Sequence, residues 1–265
     1  MAIIQVDNVT KVFSSNKGKD TTALKNVDLK VEEGEFFVIV GASGCGKTTL
    51  INMIAGFEQP TGGTILHHGE PVLGVDPRCG MVFQQYALFP WKTVIENIEF
   101  GLKLKGVTFR ERRQQVQKYI KMVGLDDFEN SYPKQLSGGM KQRVSIARAL
   151  ANNTDVMLMD EPFSALDAMT RQVMQEELMR IYQESSKTII FITHSIDEAL
   201  LLSTRLVVMT SRPGRIKKTI INDLPWPRNS SMQLMDRYQQ LKSSIWDSVQ
   251  EEVIKSAGIN YQTVD

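Results

Sequence analysis

The chain has 265 residues, with 31 Lys and Arg against 30 Asp and Glu and a formal net charge of +1. That balance lacks the basic excess expected of a protein that grips nucleic acid by its backbone. Cys45 and Cys79 are too far apart to suggest a disulfide framework or a metal-binding pattern, which fits a reducing cytosol. No apolar run reaches the ~20 residues of a membrane-spanning helix, and the first residues lack the charged start and long apolar run of a secretory leader. Any membrane role is therefore expected to act through a partner.

In chain order, residues 3–13 and 24–31 alternate as strands (Val27, Leu29, Val31), with a polar loop at 14–22 between them. The run Phe36-Phe37-Val38-Ile39-Val40 reads as a buried strand. It feeds directly into Gly41-Ala42-Ser43-Gly44-Cys45-Gly46-Lys47-Thr48-Thr49, which fits G-x-x-x-x-G-K-[ST]. Glycines let the chain curl so that backbone N–H groups converge on phosphate oxygens, and the helix that follows adds its positive end. In this pattern Lys47 reaches the β- and γ-phosphates and the Thr48 hydroxyl ligates Mg²⁺. The expectation is a nucleoside-triphosphate site.

Residues 63–83 read as short strands, with turns at Gly62-Gly63 and Asp76-Pro77. His67 and His68 fall in a hairpin there, where structural roles are favoured over metal binding. From 93 the period becomes helical. Thr93-x-x-Glu96 and Thr108-x-x-Glu111 are capping boxes, and 109–123 presents a charged, solvated face. Leu136-Ser137-Gly138-Gly139-Met140 opens a helix running to Leu150, again an anion-binding type of helix start. Val156-Met157-Leu158-Met159 is a buried strand that ends in Asp160-Glu161. Two acids at a strand's carboxyl end suit a Mg²⁺ holder (Asp160, through water) and a residue that polarises the attacking water (Glu161).

Beyond 150, strands and helices alternate: a helix over 170–184, a strand over 188–192, a helix over 196–203 and a strand over 206–209. This implies a mainly parallel sheet covered by helices, with the helical stretch at about 93–150 inserted into it. After Pro225-Trp226-Pro227, residues 231–256 carry Leu234, Tyr238, Leu241, Ile245 and Val249 at helical spacing, which reads as one amphipathic helix packed on the body.

Leu-Ser-Gly-Gly-x-x-Gln-Arg, lying between a phosphate loop and an acidic strand end, resembles the signature of ABC-type ATPases. The resemblance covers about residues 4–229. It implies an α/β P-loop NTPase with a RecA-like core and a mainly parallel sheet, an N-terminal antiparallel β subdomain, an inserted helical subdomain at about 93–150 and a C-terminal helical extension at 230–265. Met140 stands where the family usually has Gln; the implied phosphate contacts belong to Ser137 and the glycine N–H groups. The resemblance also implies adenine stacking on Phe13, although a one-residue match leaves a core strand residue as the alternative. Gln84 matches the Q-loop glutamine that touches Mg²⁺ and senses a transmembrane partner. Ser164-Ala165-Leu166-Asp167 matches the D-loop, and His194 matches the switch histidine on the γ-phosphate. Catalysis is thus expected from Glu161, His194, Lys47 and Gln84, with ATP and Mg²⁺ bound.

In this family Ser137, Gly138 and Gly139 close on ATP held by a second ATPase subunit, identical or related. Finer motifs resemble the nitrate/sulfonate/taurine and bicarbonate importer branch: Leu88-Phe89-Pro90-Trp91, the run from Glu161 to Ala168, and Ser211-Arg212-Pro213-Gly214-Arg215-Ile216. The partners so implied are two transmembrane permease subunits and, indirectly, a solute-binding protein, with the chain peripheral on the cytoplasmic face of the membrane. An exporter-type ATPase, or an ABC protein acting on nucleic acid or ribosomes, are the alternatives.

Overall fold

A computed structural model describes residues 2–14, 18–164, 166–185 and 187–257. Part of the expected 14–22 loop, Ala165 of the expected D-loop and the end of the expected 230–265 extension lie outside the described residues. In chain order the elements are β1 (Ala2–Phe13), β2 (Thr21–Glu32), β3 (Phe36–Val40), α1 (Lys47–Ile54), β4 (Gly62–His67), β5 (Glu70–Pro71) and β6 (Cys79–Val82). Then come α2 (Val94–Ile98), α3 (Phe100–Leu104), α4 (Phe109–Met122), α5 (Gly138–Ala151), β7 (Val156–Asp160) and α6 (Ala168–Ser185). The last are β8 (Thr188–Thr193), α7 (Ile196–Leu202), β9 (Arg205–Met209), β10 (Ile216–Ile221) and α8 (Asp236–Ala257). The chain divides into two compact units, Met1–Asp76 with Thr188–Asp265, and Pro77–Lys187.

In the first unit β2-β1-β4-β5 form an antiparallel sheet. Strand β3 pairs in parallel with β8 and with β9, and β10 pairs antiparallel with β9. All five residues of β3 and all six of β8 are buried. Strands covered on both faces lose period-2 alternation and read as continuous apolar runs, as both do here. Each such side chain contributes roughly 1.5–3 kcal/mol of burial, so this strand pair anchors whatever its loops carry. The linker after β10 is tied down by buried Arg228. Its guanidinium donates to the carbonyls of Leu200, Ser203, Asn222 and Leu224 and stacks on Trp226, capping the carboxyl end of α7.

In the second unit β6 and β7 pair in parallel, and α5 packs against α2, α4 and α6. Both expected capping boxes form, Thr93 with Glu96 on α2 and Thr108 with Glu111 on α4.

Several expectations need correction. Gly62 and Gly63 open β4 rather than making a turn: Gly63 sits at φ 81°, and a Cβ there would come within 2.3 Å of the Asn8 carbonyl oxygen across a bulged pairing. The hairpin turn lies at His68-Gly69 instead, and His67 is buried against Asp76, Nδ1 to Oδ2 2.7 Å. Strand β10 was not anticipated, because as an edge strand it buries only Ile220 fully. The tail is not one helix from 231: a 3-10 turn over Ser230–Leu234 precedes α8, and Leu234 is 89 % exposed. The buried stripe is Tyr238, Leu241, Ile245, Ser248 and Glu252, with Val249 only half-buried.

Candidate nucleotide site

Two site features of the first unit are brought together by strand register. Val40 and Thr193 are paired at the ends of β3 and β8, so the glycine-rich loop and His194 leave neighbouring strands at the same edge. The loop closes on itself: Lys47 is buried, and its ammonium donates to the carbonyls of Gly41 (2.8 Å) and Ala42 (3.1 Å). Its positive charge is thereby held at the loop's centre. Gly46 caps α1 at φ 103°, and a Cβ there would lie 2.7 Å from Leu24 Cδ2. Only glycine satisfies both the torsion and the space. Ser43, Gly44 and Thr48 are exposed, whereas Cys45 is buried.

His194 is exposed on a turn held from behind. Thr193 Oγ1 donates to Glu198 and accepts from the Ser195 N–H, and Ser195 caps α7. Phe13 ends β1 with 41 % of its surface exposed and the Lys11 ammonium 5.0 Å from its ring centroid. Phe13 is therefore not a buried core residue.

In the second unit the acids stand at the carboxyl end of β7. Asp160 is buried as its last residue. Glu161 follows at φ 43°, a left-handed conformation that costs a non-glycine residue about 1–3 kcal/mol. Val82 pairs with Met159, so the segment bearing Gln84 leaves the strand beside β7. Ser164 links the two: its hydroxyl accepts from Gln84 Nε2 (3.3 Å) and donates to the Glu161 carbonyl (2.9 Å).

The signature residues stand at the start of α5. Ser137 is its N-cap and accepts from the Met140 N–H at 3.3 Å. Ser137 and Gly138 face outward, whereas Gly139 is buried so tightly that a Cβ would meet Thr170 Cγ2 at 2.7 Å. Thr170 belongs to the next feature. Asp167 accepts from the Thr170 N–H (3.0 Å) ahead of α6, and that backbone bond holds its carboxyl below the usual carboxylate range.

Three supporting residues were invisible to motif reading. Ser164 stands in the sequence only as the first residue of the Ser164–Asp167 run. Arg148 on α5 donates to the carbonyls of Ala87 (2.6 Å) and Tyr86 (3.2 Å), wiring the signature helix to the segment after Gln84; burial pushes its pKa down. Asn97, fully buried, bonds Phe89 through its N–H and carbonyl and also holds the carbonyls of Lys92 and Thr93. It fixes the 87–91 string so that Ala87, Pro90 and Trp91 are exposed and Leu88 and Phe89 half-buried.

A family model described as ABC transporter matches residues 24–164.

The chain belongs to the ABC transporter family.

An uncharacterized ABC transporter ATP-binding protein of Methanocaldococcus jannaschii is 50 % identical over 96 % of this chain and 93 % of its own length. The nitrate import ATP-binding protein NrtD of a Synechocystis strain is 48 % identical over 84 % of this chain and 83 % of its own. The aliphatic sulfonates import ATP-binding protein SsuB of Bacillus thuringiensis is 43 % identical over 91 % of this chain and 94 % of its own. Among solved structures, a dimeric ATP-binding cassette in a post-hydrolysis state with ADP and phosphate superposes with a TM-score of 0.74. It has 35 % identity and covers 84 % of this chain and all of the other. This ABC protein therefore has the P-loop NTPase fold, binds ATP and is an ATPase. Among the described residues no helix is long and apolar enough to cross a membrane.

Proposed function

We propose that this ABC ATPase is the energy-coupling subunit of an import complex for a small oxyanion or organosulfonate, of the nitrate, bicarbonate, sulfonate or taurine type. The observation that carries this reading is identity of 43–48 % over more than four fifths of the chain to two proteins named as import ATP-binding proteins. The domain boundaries proposed with it are a cassette over 4–229, with a helical subdomain at about 93–150, and a C-terminal extension over 230–265.

The residue roles proposed with it are those that the phosphate-loop pattern, the acidic strand end and the family resemblance imply. Lys47 and the N–H groups of residues 41–49 take the phosphates, and Phe13 takes the adenine ring. The Thr48 hydroxyl, Gln84 and, through water, Asp160 offer the hard oxygen ligands that Mg²⁺ requires. Bound by these residues, Mg²⁺ would supply positive charge against that developing on the phosphates. Glu161 orients and polarises a water for in-line attack on the γ-phosphorus. The bond to the β-phosphate oxygen breaks, leaving ADP and phosphate. His194 donates a hydrogen bond to the γ-phosphate.

Ser137 and Gly138 face outward, which supports the use of the Ser137-Gly138-Gly139 loop on ATP held by a second ATPase subunit, and Asp167 belongs to the same interface. ATP then bridges two cassettes by charge-assisted hydrogen bonds, and hydrolysis removes the bridge. The pinned apolar string with exposed Trp91, following Gln84, offers a surface on which a permease helix docks, which would hold the chain peripherally on the cytoplasmic face. The test is purification from native membranes. Recovery with two permease subunits and a solute-binding protein is expected. Recovery with an exporter, or ATPase activity stimulated by DNA or ribosomes without a membrane partner, would overturn the reading.

A further inference from the structure

The phosphate loop is backed by the turn over residues 210–215, whose Ser211–Arg215 run resembles the importer branch but carries no role from that resemblance. Gly214 packs so closely that a Cβ would lie 2.1 Å from the Cys45 carbonyl oxygen. Its N–H donates to Ala23 (2.8 Å), its carbonyl accepts from Lys25 (3.0 Å), and Arg212 donates to the Gly44 carbonyl at 3.4 Å. The turn is closed internally: Thr210 and Arg215 pair through their backbones, and the Thr210 hydroxyl donates to the Pro213 carbonyl. It is gripped from its other side by α8. Glu252, 3 % exposed, accepts from the Ser211 N–H (2.9 Å) and hydroxyl (3.1 Å) with one oxygen, and from Lys217 (2.8 Å) with the other. A buried carboxylate with both oxygens engaged fixes the geometry of what it holds far better than apolar contact does.

We propose that Glu252 is a positioning residue for nucleotide binding: through Ser211 it holds the 210–215 turn against the back of the phosphate loop, so that the C-terminal helix sets the affinity for ATP. Coupling of this kind is reciprocal, so ATP in the loop tightens the docking of α8.

The test measures the Kd of the full chain for Mg-ATP and its ATPase rate at saturating ATP for Glu252→Gln and Ser211→Ala, alongside thermal melting. Glu252→Gln is expected to raise the Kd about tenfold and Ser211→Ala to raise it less, with saturated turnover within about twofold of the parent. Glu252→Asp is expected to restore part of the affinity. Variants that melt lower but bind Mg-ATP as the parent does would overturn the proposal, since a purely structural helix behaves so. If Glu252→Gln does not fold, Ser211→Ala decides alone, because it leaves α8 intact: an unchanged Kd contradicts the proposal. Hydrogen exchange supplies the reciprocal reading. Mg-ATP should slow the amides of Ser211 and Gly214 and of α8 near Glu252; protection confined to residues 41–49 would contradict it.

Discussion

Glu161 combines a strained backbone with a position at the end of the most buried strand of its unit. Strain persists where surrounding structure over-determines it, and here β7 and the Ser164 bonds do so. Replacing Glu161 with Gln should cut hydrolysis by at least about a hundredfold while Mg-ATP binding persists, because only the proton-accepting group is lost. Steady-state hydrolysis and nucleotide retention measured on one preparation check this. Gly46→Ala tests the loop itself. The positive φ and the approach of Leu24 predict loss of detectable Mg-ATP binding and a destabilisation of roughly 1–3 kcal/mol, read by titration and thermal melting.

Among the elements, α8 and the 87–97 segment make the sharpest predictions. Burial would raise the Glu252 carboxyl, but the bonds from Lys217 and Ser211 overcome it and hold the group down to about 2, from an ordinary 4.5. A depressed carboxyl stabilises the folded state above its unfolded pKa and loses that contribution on acidification. Up to about 3 kcal/mol should therefore disappear between pH 4.5 and 2, and Glu252→Gln should flatten that part of the stability profile. Urea unfolding across the range is the measurement. Asn97→Ala removes bonds to three residues of a pinned loop and should cost about 2–3 kcal/mol, with new mobility at Trp91 seen by fluorescence anisotropy.

The elements also show where sequence was readable. The apolar runs of β3, β7 and β8 and the two capping boxes were plain, because burial on both faces and reciprocal side-chain bonds leave local marks. Strand β10 left none, since its pairing with β9 is a nonlocal backbone contact and its outer face is polar. Leu234 was misassigned to the helix because spacing alone cannot tell a 3-10 turn from the first turn of α8. The positions of Lys47 and Thr48 at the start of α1 and of Asp160-Glu161 at the end of β7 were legible from spacing. The supports Ser164, Asn97, Arg148 and Glu252 were not: Arg148, Glu252 and the Ser164 bond to Gln84 act on segments that only the fold brings near, and the bonds from Asn97 to Phe89, Lys92 and Thr93, though local, follow no helix or strand period.

For the whole molecule, everything proposed about work depends on two cassettes sharing ATP, with Ser137 and Gly138 turned outward to receive it. The most direct measurement is the mass in solution of the Glu161→Gln chain, with and without Mg-ATP, by light scattering, together with the nucleotide content of each species. A monomer without nucleotide that becomes a dimer holding two ATP molecules is the predicted result, and Ser137→Arg in the same background should abolish that dimer. A Glu161→Gln chain that binds Mg-ATP fully yet stays monomeric, or a dimer indifferent to nucleotide and to Ser137→Arg, would contradict the account.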